Sequence, residues 1–111
     1  MEDAFLRIKA ILKAIESDEG LDGLDSVSRD LLNYILQKHS ESQILRVTDL
    51  TANLSFGSPA TVYGRLARLQ TDGWIKTTTP ADDGRVKIVV PSNKALGSLG
   101  RMSVALNRAL A

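Results

Sequence analysis

Residues 58–74, SPATVYGRLARLQTDGW, contain the start, the inner face and the end of one helix. Ser58 is a favoured N-cap residue, and Pro59 suits the first helical position, where a backbone N–H is not needed. The stretch ends at Asp72-Gly73, and glycine is the usual residue just past a helix C-terminus. The helix has one apolar face, formed by Val62, Leu66 and Leu69. Small and polar groups fill its first two exposed turns, where a purely structural surface helix would carry Glu, Lys and Gln.

Apolar periodicity and turn residues predict four further helices and three strands around this helix. The other helices are predicted from Ala4 to Ser17, from a cap at Asp25 or Ser26 to Lys38, from Thr48 to Leu54, and from a Ser92 cap to Leu110. The predicted strands are Gln43–Val47, Trp74–Thr79 and Arg85–Val90, of which the last two form a hairpin through the turn residues 80–84. The predicted class is therefore mainly α with a small β-hairpin, which must pack against the helices because a lone hairpin is not stable.

The composition excludes several classes of site. The chain has 111 residues, 43% of them apolar and 24% charged, which is the balance of one ordinary globular domain. It has no cysteine and one histidine, His39, so disulfides, cysteine-ligated zinc and a multi-histidine metal site are not expected. No apolar run is long enough for a transmembrane helix, and the N-terminus does not resemble a secretory signal. A cytoplasmic protein without a cofactor is expected.

The net charge of +1 favours no particular partner, but the charges are unevenly distributed. Six acidic residues lie between Glu16 and Asp30, where Arg29 is the sole base. Five basic residues lie between Ser58 and Val90, against three acidic ones. Such an asymmetry can orient a protein on DNA.

The unit from Arg46 to Val90, two helices joined by a short link and followed by a hairpin, resembles a winged helix-turn-helix domain. Within that class the chain is similar to the MarR-like repressors. The motifs that carry the resemblance are RVTDL at 46–50, GSPATV at 57–62, LARL at 66–69, DGWI at 72–75 and DGR at 83–85. The resemblance is best over residues 26–95, and this chain is shorter than most members of that family. It implies that double-stranded DNA is the partner and that the helix after Ser58 reads the major groove.

The residues of that helix fit such a role. A helix that approaches base edges with its N-terminal turns needs small side chains there. Thr61 can meet a thymine methyl group or bond to a base or phosphate, and Tyr63 is placed to reach the DNA backbone. The predicted DNA-binding residues are Ser58, Ala60, Thr61, Tyr63, Gly64, Arg65 and Arg68 in the helix, with Thr78, Arg85 and Lys87 in the hairpin.

Three of these residues have a second interpretation. Gly64 costs about 1 kcal/mol of helix stability relative to alanine, so either the DNA backbone or a neighbouring helix should pass close to it. Arg65 and Arg68 are either DNA contacts or solvated surface charges, with Arg65 paired to Asp72 and Arg68 paired to Asp49. Arg65 is the better candidate for a base contact, because arginine is the commonest specific reader of guanine.

The hairpin departs from the pattern of the MarR-like wing. That family usually carries an arginine near the wing tip, which reaches into the minor groove, whereas Asp82 stands at about this position here. Asp83 and Arg85 match the family's Asp-x-Arg pair, in which the aspartate helps to fix the arginine. Arg85 and Lys87 can meet the DNA backbone from the side of the wing, but two acidic residues at the tip would repel phosphates.

The terminal helices are the predicted dimerisation elements, with more apolar surface than a small winged domain needs. This surface either packs within one subunit or forms a symmetric dimer. A protein that binds DNA with two-fold symmetry requires such a dimer. The predicted dimerisation residues are Phe5, Ile8, Ile11, Leu12, Ile15, Leu96, Leu99, Leu106 and Leu110. The corresponding division of the chain is 1–20 and 92–111 for dimerisation and 25–91 for the winged helix-turn-helix.

Two functions are therefore compared. The first is a sequence-specific transcriptional regulator that binds a near-palindromic operator as a homodimer. The second is a protein-interaction module on a winged-helix scaffold, which the weak net charge and the acidic wing tip favour slightly. An enzyme is not expected, since the chain has neither a glycine-rich phosphate loop nor a diagnosable pair of carboxylates. A small-molecule effector is possible in the family, but no residue argues for one.

Overall fold

The computed structural model describes residues 3–111, and within them five α-helices accompany one antiparallel hairpin. The elements are α1 (Ala4–Asp18), α2 (Ser26–Ser40), α3 (Val47–Thr51), α4 (Pro59–Thr71), β1 (Ile75–Thr78), β2 (Ile88–Pro91) and α5 (Asn93–Leu110). Two 3₁₀ turns, at Leu21–Gly23 and Leu54–Phe56, precede α2 and α4. The predicted class, mainly helical with a small hairpin, is confirmed.

Helix α4 begins and ends where the sequence predicts. The Ser58 hydroxyl accepts the backbone N–H of Thr61 at 3.2 Å, and Pro59 is the first helical residue. At the other end Gly73 has a φ of +82°, and the N–H of Trp74 donates to the carbonyl of Leu69 at 2.9 Å. This arrangement is a Schellman motif, which reverses the chain and leads it directly into β1.

The core lies between α2, α3, α4 and the hairpin. Leu31, Ile35, Leu50, Val62 and Leu69 are each at most 1% exposed. The hairpin closes the core with one aromatic and two aliphatic side chains, Trp74, Ile75 and Val89. Burying each large aliphatic side chain contributes about 1.5–3 kcal/mol, so the core determines which face of α4 points outward.

The predicted strand Gln43–Val47 is wrong as a full strand. Arg46 alone forms a β-bridge, to Ile88, although the carbonyl of Leu45 also accepts the N–H of Val89 at 2.8 Å. The backbone turns into α3 at Val47, one residue earlier than expected, and this ends the pairing with β2. The predicted end of that helix at Leu54 is also wrong, because the Asn53 side chain accepts the N–H of Ser55 and starts a 3₁₀ turn.

The second hairpin strand begins at Ile88, so its predicted start at Arg85 is wrong. The Asp83 side chain accepts the backbone N–H of Arg85 at 3.0 Å, and its carbonyl accepts the N–H of Val86 at 3.3 Å. These turn hydrogen bonds use N–H groups that a longer strand would need for pairing. Pairing therefore runs only from Thr78 opposite Ile88 to Ile75 opposite Pro91.

The terminal helices extend the molecule to one side. The chain measures 53 × 26 × 23 Å, and its radius of gyration of 15.5 Å exceeds the roughly 13 Å of a compact domain of this length. No residue of α1 is buried, and α5 buries only Ala95 and Ser98. None of the helices within residues 3–111 is long and apolar enough to cross a membrane.

A charged cluster joins the end of α1 to α5. Arg101 donates from Nε and Nη2 to the carboxylate of Glu19, and the hydroxyl of Ser98 donates to the same carboxylate at 2.7 Å. The hydrogen bonds from Arg101, followed by the one from Ser98, lower the pKa of Glu19 below its ordinary value of 4.5. The ionised carboxylate therefore helps to hold the two terminal helices together.

This cluster predicts an acid-side loss of stability. Because the folded-state pKa of Glu19 is lowered, its stabilisation is present above about pH 4.5 and is lost as the pH falls through the lowered value. Glu19→Gln should therefore be less stable than the parent protein at pH 7, and the difference should shrink on acidification. Denaturant unfolding between pH 7 and pH 3 measures this. Asp18→Asn, which removes a neighbouring carboxylate without an ion pair to any described residue, is the control; a pH-independent difference for Glu19→Gln would contradict the prediction.

Candidate nucleic-acid interface

The first turns of α4 are uncovered. Ser58, Ala60, Tyr63 and Gly64 are exposed and Thr61 is half-buried, whereas Val62 on the opposite face is fully buried. The hydroxyls of Ser58 and Thr61 lie 3.1 Å apart in a hydrogen bond at the helix start. The structure thus brings together, at one end of α4, the small and polar residues that the sequence predicts there.

Gly64 faces open space. A Cβ atom built at this position has no neighbouring atom within 4 Å apart from the local backbone of its own helix. The interpretation that a neighbouring helix packs closely on Gly64 is therefore wrong within the described residues. What remains is a glycine on the outer surface of α4, at a place where alanine would fit the free protein.

Arg65 and Arg68 form ion pairs, but not the predicted ones. The Nε atom of Arg65 lies 3.2 Å from Oδ2 of Asp25, and the Nε atom of Arg68 lies 3.7 Å from Oδ2 of Asp72. The expected pairs Arg65–Asp72 and Arg68–Asp49 are wrong. Asp49 instead accepts the backbone N–H of Arg46 at 2.9 Å, so its carboxylate is used at the start of α3.

The carboxyl group of Asp25 is held by α2 as well as by Arg65. Its pKa is lowered chiefly because it accepts the backbone N–H of Ser28 at 2.9 Å. The Ser28 hydroxyl and the charge of Arg65 lower the pKa further, while partial desolvation opposes them. Asp25 is therefore an ionised N-cap that also contacts the candidate recognition helix.

A groove of about 320 Å³ lies between the start of α3, the side of α4 and the hairpin. Its lining consists of Arg46, Val47, Thr48, Tyr63, Arg85, Val86 and Lys87. The hydrogen bond from the N–H of Val47 to the carbonyl of Lys87, at 3.0 Å, holds the hairpin against α3. Three basic residues and one tyrosine therefore line a single groove beside the first turns of α4.

Arg46 and Thr48 are members of this groove that were not among the predicted site residues. Arg46 was assigned to a strand, and its proximity to Arg85 and Lys87 depends on the bridge to Ile88. The sequence feature that could have identified Arg46 as a site residue is its position directly before a helix of the helix-turn-helix motif. Thr78, by contrast, is a predicted site residue that lies outside this groove, on the exposed side of β1 beside Lys76 and Thr77.

The hairpin tip is acidic and exposed. Asp82 and Asp83 are both exposed, and the Asp83 side chain binds the backbone N–H of Arg85. The contact fixes the backbone at Arg85, which is one of the residues that line the groove. The basic residues Arg85 and Lys87 therefore lie at the groove, and the acidic residues lie at the hairpin tip.

The terminal helices expose much of the predicted dimerisation surface. Phe5 is 70% exposed, Ile8 42%, and Leu110 58%, which is unusual for such large apolar side chains. Leu12, Leu96 and Leu99 are exposed to 36–37%, and Ile11, Ile15 and Leu106 are half-buried. Packing within one subunit thus leaves several of these apolar side chains without a cover from residues 3–111.

Metal-binding geometry is absent from the described part of the chain. No group of three or more His, Asp or Glu side chains in residues 3–111 is arranged to hold a metal ion. His39, the sole histidine, is exposed at the end of α2.

Comparison with known proteins gives a match at the level of structure. A scan with family sequence models and a search of curated proteins both found no match. The crystal structure of the transcriptional regulator Tm0710 from Thermotoga maritima superposes with a TM-score of 0.70 at 20% identity, over 98% of this chain and 71% of that one. The crystal structure of the MepR–DNA complex from S. aureus superposes with a TM-score of 0.70 at 15% identity. This match covers 98% of the present chain and 79% of MepR.

A mutant of ZitR from Lactococcus lactis gives a TM-score of 0.59 at 24% identity. The match covers 78% of this chain, which spans only 56% of ZitR. At these identities the similarity establishes the fold. The chain has the winged helix-turn-helix fold of the MarR-like transcriptional regulators.

Proposed function

We propose that this protein is a DNA-binding transcriptional regulator that reads a near-palindromic operator as a homodimer. The observation that carries the proposal is the uncovered start of α4, with small side chains on its surface and a cationic groove beside it. Tm0710 is described as a transcriptional regulator, and the MepR structure contains DNA. These neighbours support the same function for the same fold.

In the proposed complex α4 lies in the major groove. Ser58, Ala60 and Thr61 allow the helix to approach the base edges, and the Thr61 methyl group suits a thymine methyl. Arg65, one turn further along, is the candidate for a guanine contact. Arg68 is 65% exposed and lies nearer the C-terminus of α4, where a phosphate contact suits it better.

The groove between α3, α4 and the hairpin suits a DNA phosphate. Arg46, Arg85 and Lys87 supply positive charge, and the hydroxyls of Thr48 and Tyr63 supply further hydrogen-bond donors. The acidic tip at Asp82 and Asp83 disfavours deep insertion into the minor groove. The hairpin is therefore proposed to contact the DNA backbone from its side.

The dimer is proposed to form through α1 and α5. Exposed apolar surface of this extent on two adjoining helices favours a partner, and a second copy of the chain covers it with the symmetry that an operator requires. Two recognition helices would then lie about 34 Å apart, which is one turn of the duplex.

A protein-interaction module is the second candidate. The exposed acidic residues at the hairpin tip and the net charge of +1 favour it, because both weaken attraction to a polyanion. This candidate predicts no sequence preference for DNA, so one experiment separates the two.

Selection from random duplexes at low salt should enrich one near-palindromic sequence. Its binding should weaken with salt by about 0.9 logarithmic units of slope per phosphate contacted. Arg65→Ala or Thr61→Ala should lose about 1–3 kcal/mol at one base position if that residue reads a base. Arg7→Ala, the same loss of charge on α1, is the control, and no enriched sequence from the parent protein would refute the proposed function.

Gly64→Ala should separate folding from DNA binding. In the free protein the added methyl group meets open space, so stability should rise by up to about 1 kcal/mol. If the DNA backbone passes along this part of α4, affinity for the selected duplex should fall at the same time. Gly23→Ala is the control, since Gly23 is also open at its Cβ position but lies in the 3₁₀ turn before α2, outside the proposed DNA and dimer contacts. Unchanged DNA affinity in Gly64→Ala would show that the DNA does not approach this residue.

Leu99→Glu should dissociate the proposed dimer, because a carboxylate cannot be buried against an apolar partner without a large penalty. Sedimentation equilibrium should give twice the chain mass for the parent protein and once the chain mass for the variant. Val104→Glu is the control: Val104 is 50% exposed but lies about 140° around α5 from Leu99. A parent protein that sediments as a monomer at high micromolar concentration would contradict the proposed dimer.

A further inference from the structure

An ion pair links the start of α2 to the recognition helix. The Nε atom of Arg65 lies 3.2 Å from Oδ2 of Asp25, although the two residues are far apart in the sequence. The Nε atom is buried, and its N–H is not aligned for a hydrogen bond with any described residue. Among those residues Asp25 supplies the single carboxylate within ion-pair distance of this guanidinium.

The Asp25 carboxylate is itself held firmly. It accepts the backbone N–H of Ser28 at 2.9 Å and the Ser28 hydroxyl at 3.2 Å. Ser28 is fully buried, and α2, which these bonds cap, supplies Leu31 and Ile35 to the core. Arg65 is therefore paired with a group of fixed position, not with a mobile surface side chain.

The geometry of the Arg65 guanidinium determines which of its N–H donors remain free. This group is a rigid planar fork with five N–H donors. The Nε atom faces Asp25 and is buried, yet the Arg65 side chain as a whole is 41% exposed. The two terminal nitrogens, Nη1 and Nη2, form no hydrogen bond with a described residue. Together they can donate the two hydrogen bonds of a bidentate contact to guanine O6 and N7.

We infer that Asp25 is a positioning residue for base reading, which holds the guanidinium of Arg65 so that its terminal nitrogens meet a guanine. The inference rests on the proposed function, since Arg65 has a base to meet only if α4 reads DNA. If Asp25 had no such role, its carboxylate near the interface would simply repel phosphates. The two cases predict different effects of removing the Asp25 charge. If Asp25 positions Arg65, the preference for the selected sequence falls. If Asp25 only repels phosphates, binding to every duplex becomes stronger.

Asp25→Asn tests this with little disturbance of α2. Asparagine is as good an N-cap as aspartate, so the helix start keeps its hydrogen bond, and the ion pair to Arg65 is lost. Asp30→Asn is the matched control, because it removes one carboxylate from the exposed side of the same helix. Thermal unfolding of both variants checks that the fold is intact.

The readout is the ratio of affinities for two duplexes. One is the sequence selected by the parent protein, and the other differs at the base pair where Arg65→Ala loses its preference. Asp25→Asn should reduce this ratio about tenfold, equal to about 1.4 kcal/mol, while Asp30→Asn leaves the ratio unchanged. Arg65→Lys should reduce it as well, because lysine cannot bind aspartate and guanine with a planar fork.

A double-mutant cycle then assigns the effect to the pair. In the Arg65→Ala background, Asp25→Asn should have no further effect on the ratio. An unchanged ratio in Asp25→Asn, or tighter binding to both duplexes by the same factor, would overturn the inference and leave the proposed function intact. If the parent protein selects no sequence at all, the proposed function fails first, and this inference falls with it.

Discussion

The burial of one face of α4 is the constraint on which the candidate interface depends. Val62 and Leu69 are fully buried and Leu66 nearly so, and together they determine the rotation of the helix about its axis. Because successive residues of a helix are 100° apart, this rotation also determines the direction of the side chains between them. Ala60 and Gly64 must face outward, and rotating them inward would expose aliphatic groups whose burial contributes about 1.5–3 kcal/mol each.

Features of α4 that depend only on residues close by in the sequence were predictable. The Ser58 cap, Pro59 in the first turn and the glycine stop at Gly73 are each decided within a few residues, and all three agree with the structure. The bounds of the strands were less predictable. Whether Arg85 lies in a strand depends on competition between the turn around Asp83 and pairing with β1, and the turn prevails.

The contacts of the candidate interface that depend on the fold were not predictable. The sequence suggested Asp72 as the partner of Arg65 because both lie near the same helix, whereas the actual partner, Asp25, comes from the start of α2. Arg46 likewise reaches the cationic groove through a single bridge to Ile88. Charges on a helix surface can be assigned to a face from periodicity, but their partners require the packing of α2 and α3 against α4.

The start of α2 forms ion pairs with two other helices, α4 and α1. Asp25 pairs with Arg65 of α4, and Arg29, one turn later, pairs with Glu16 of α1. Each pair is partly exposed, so neither contributes much to stability by itself. Ser28 lies between them and is fully buried, which fixes the turn that carries both pairs. In a two-fold reader of DNA, the spacing of the recognition helices depends on how each is placed relative to the contact between subunits. In the proposed dimer, the start of α2 would therefore help to set the position of Arg65 relative to α1, which carries part of the exposed apolar surface.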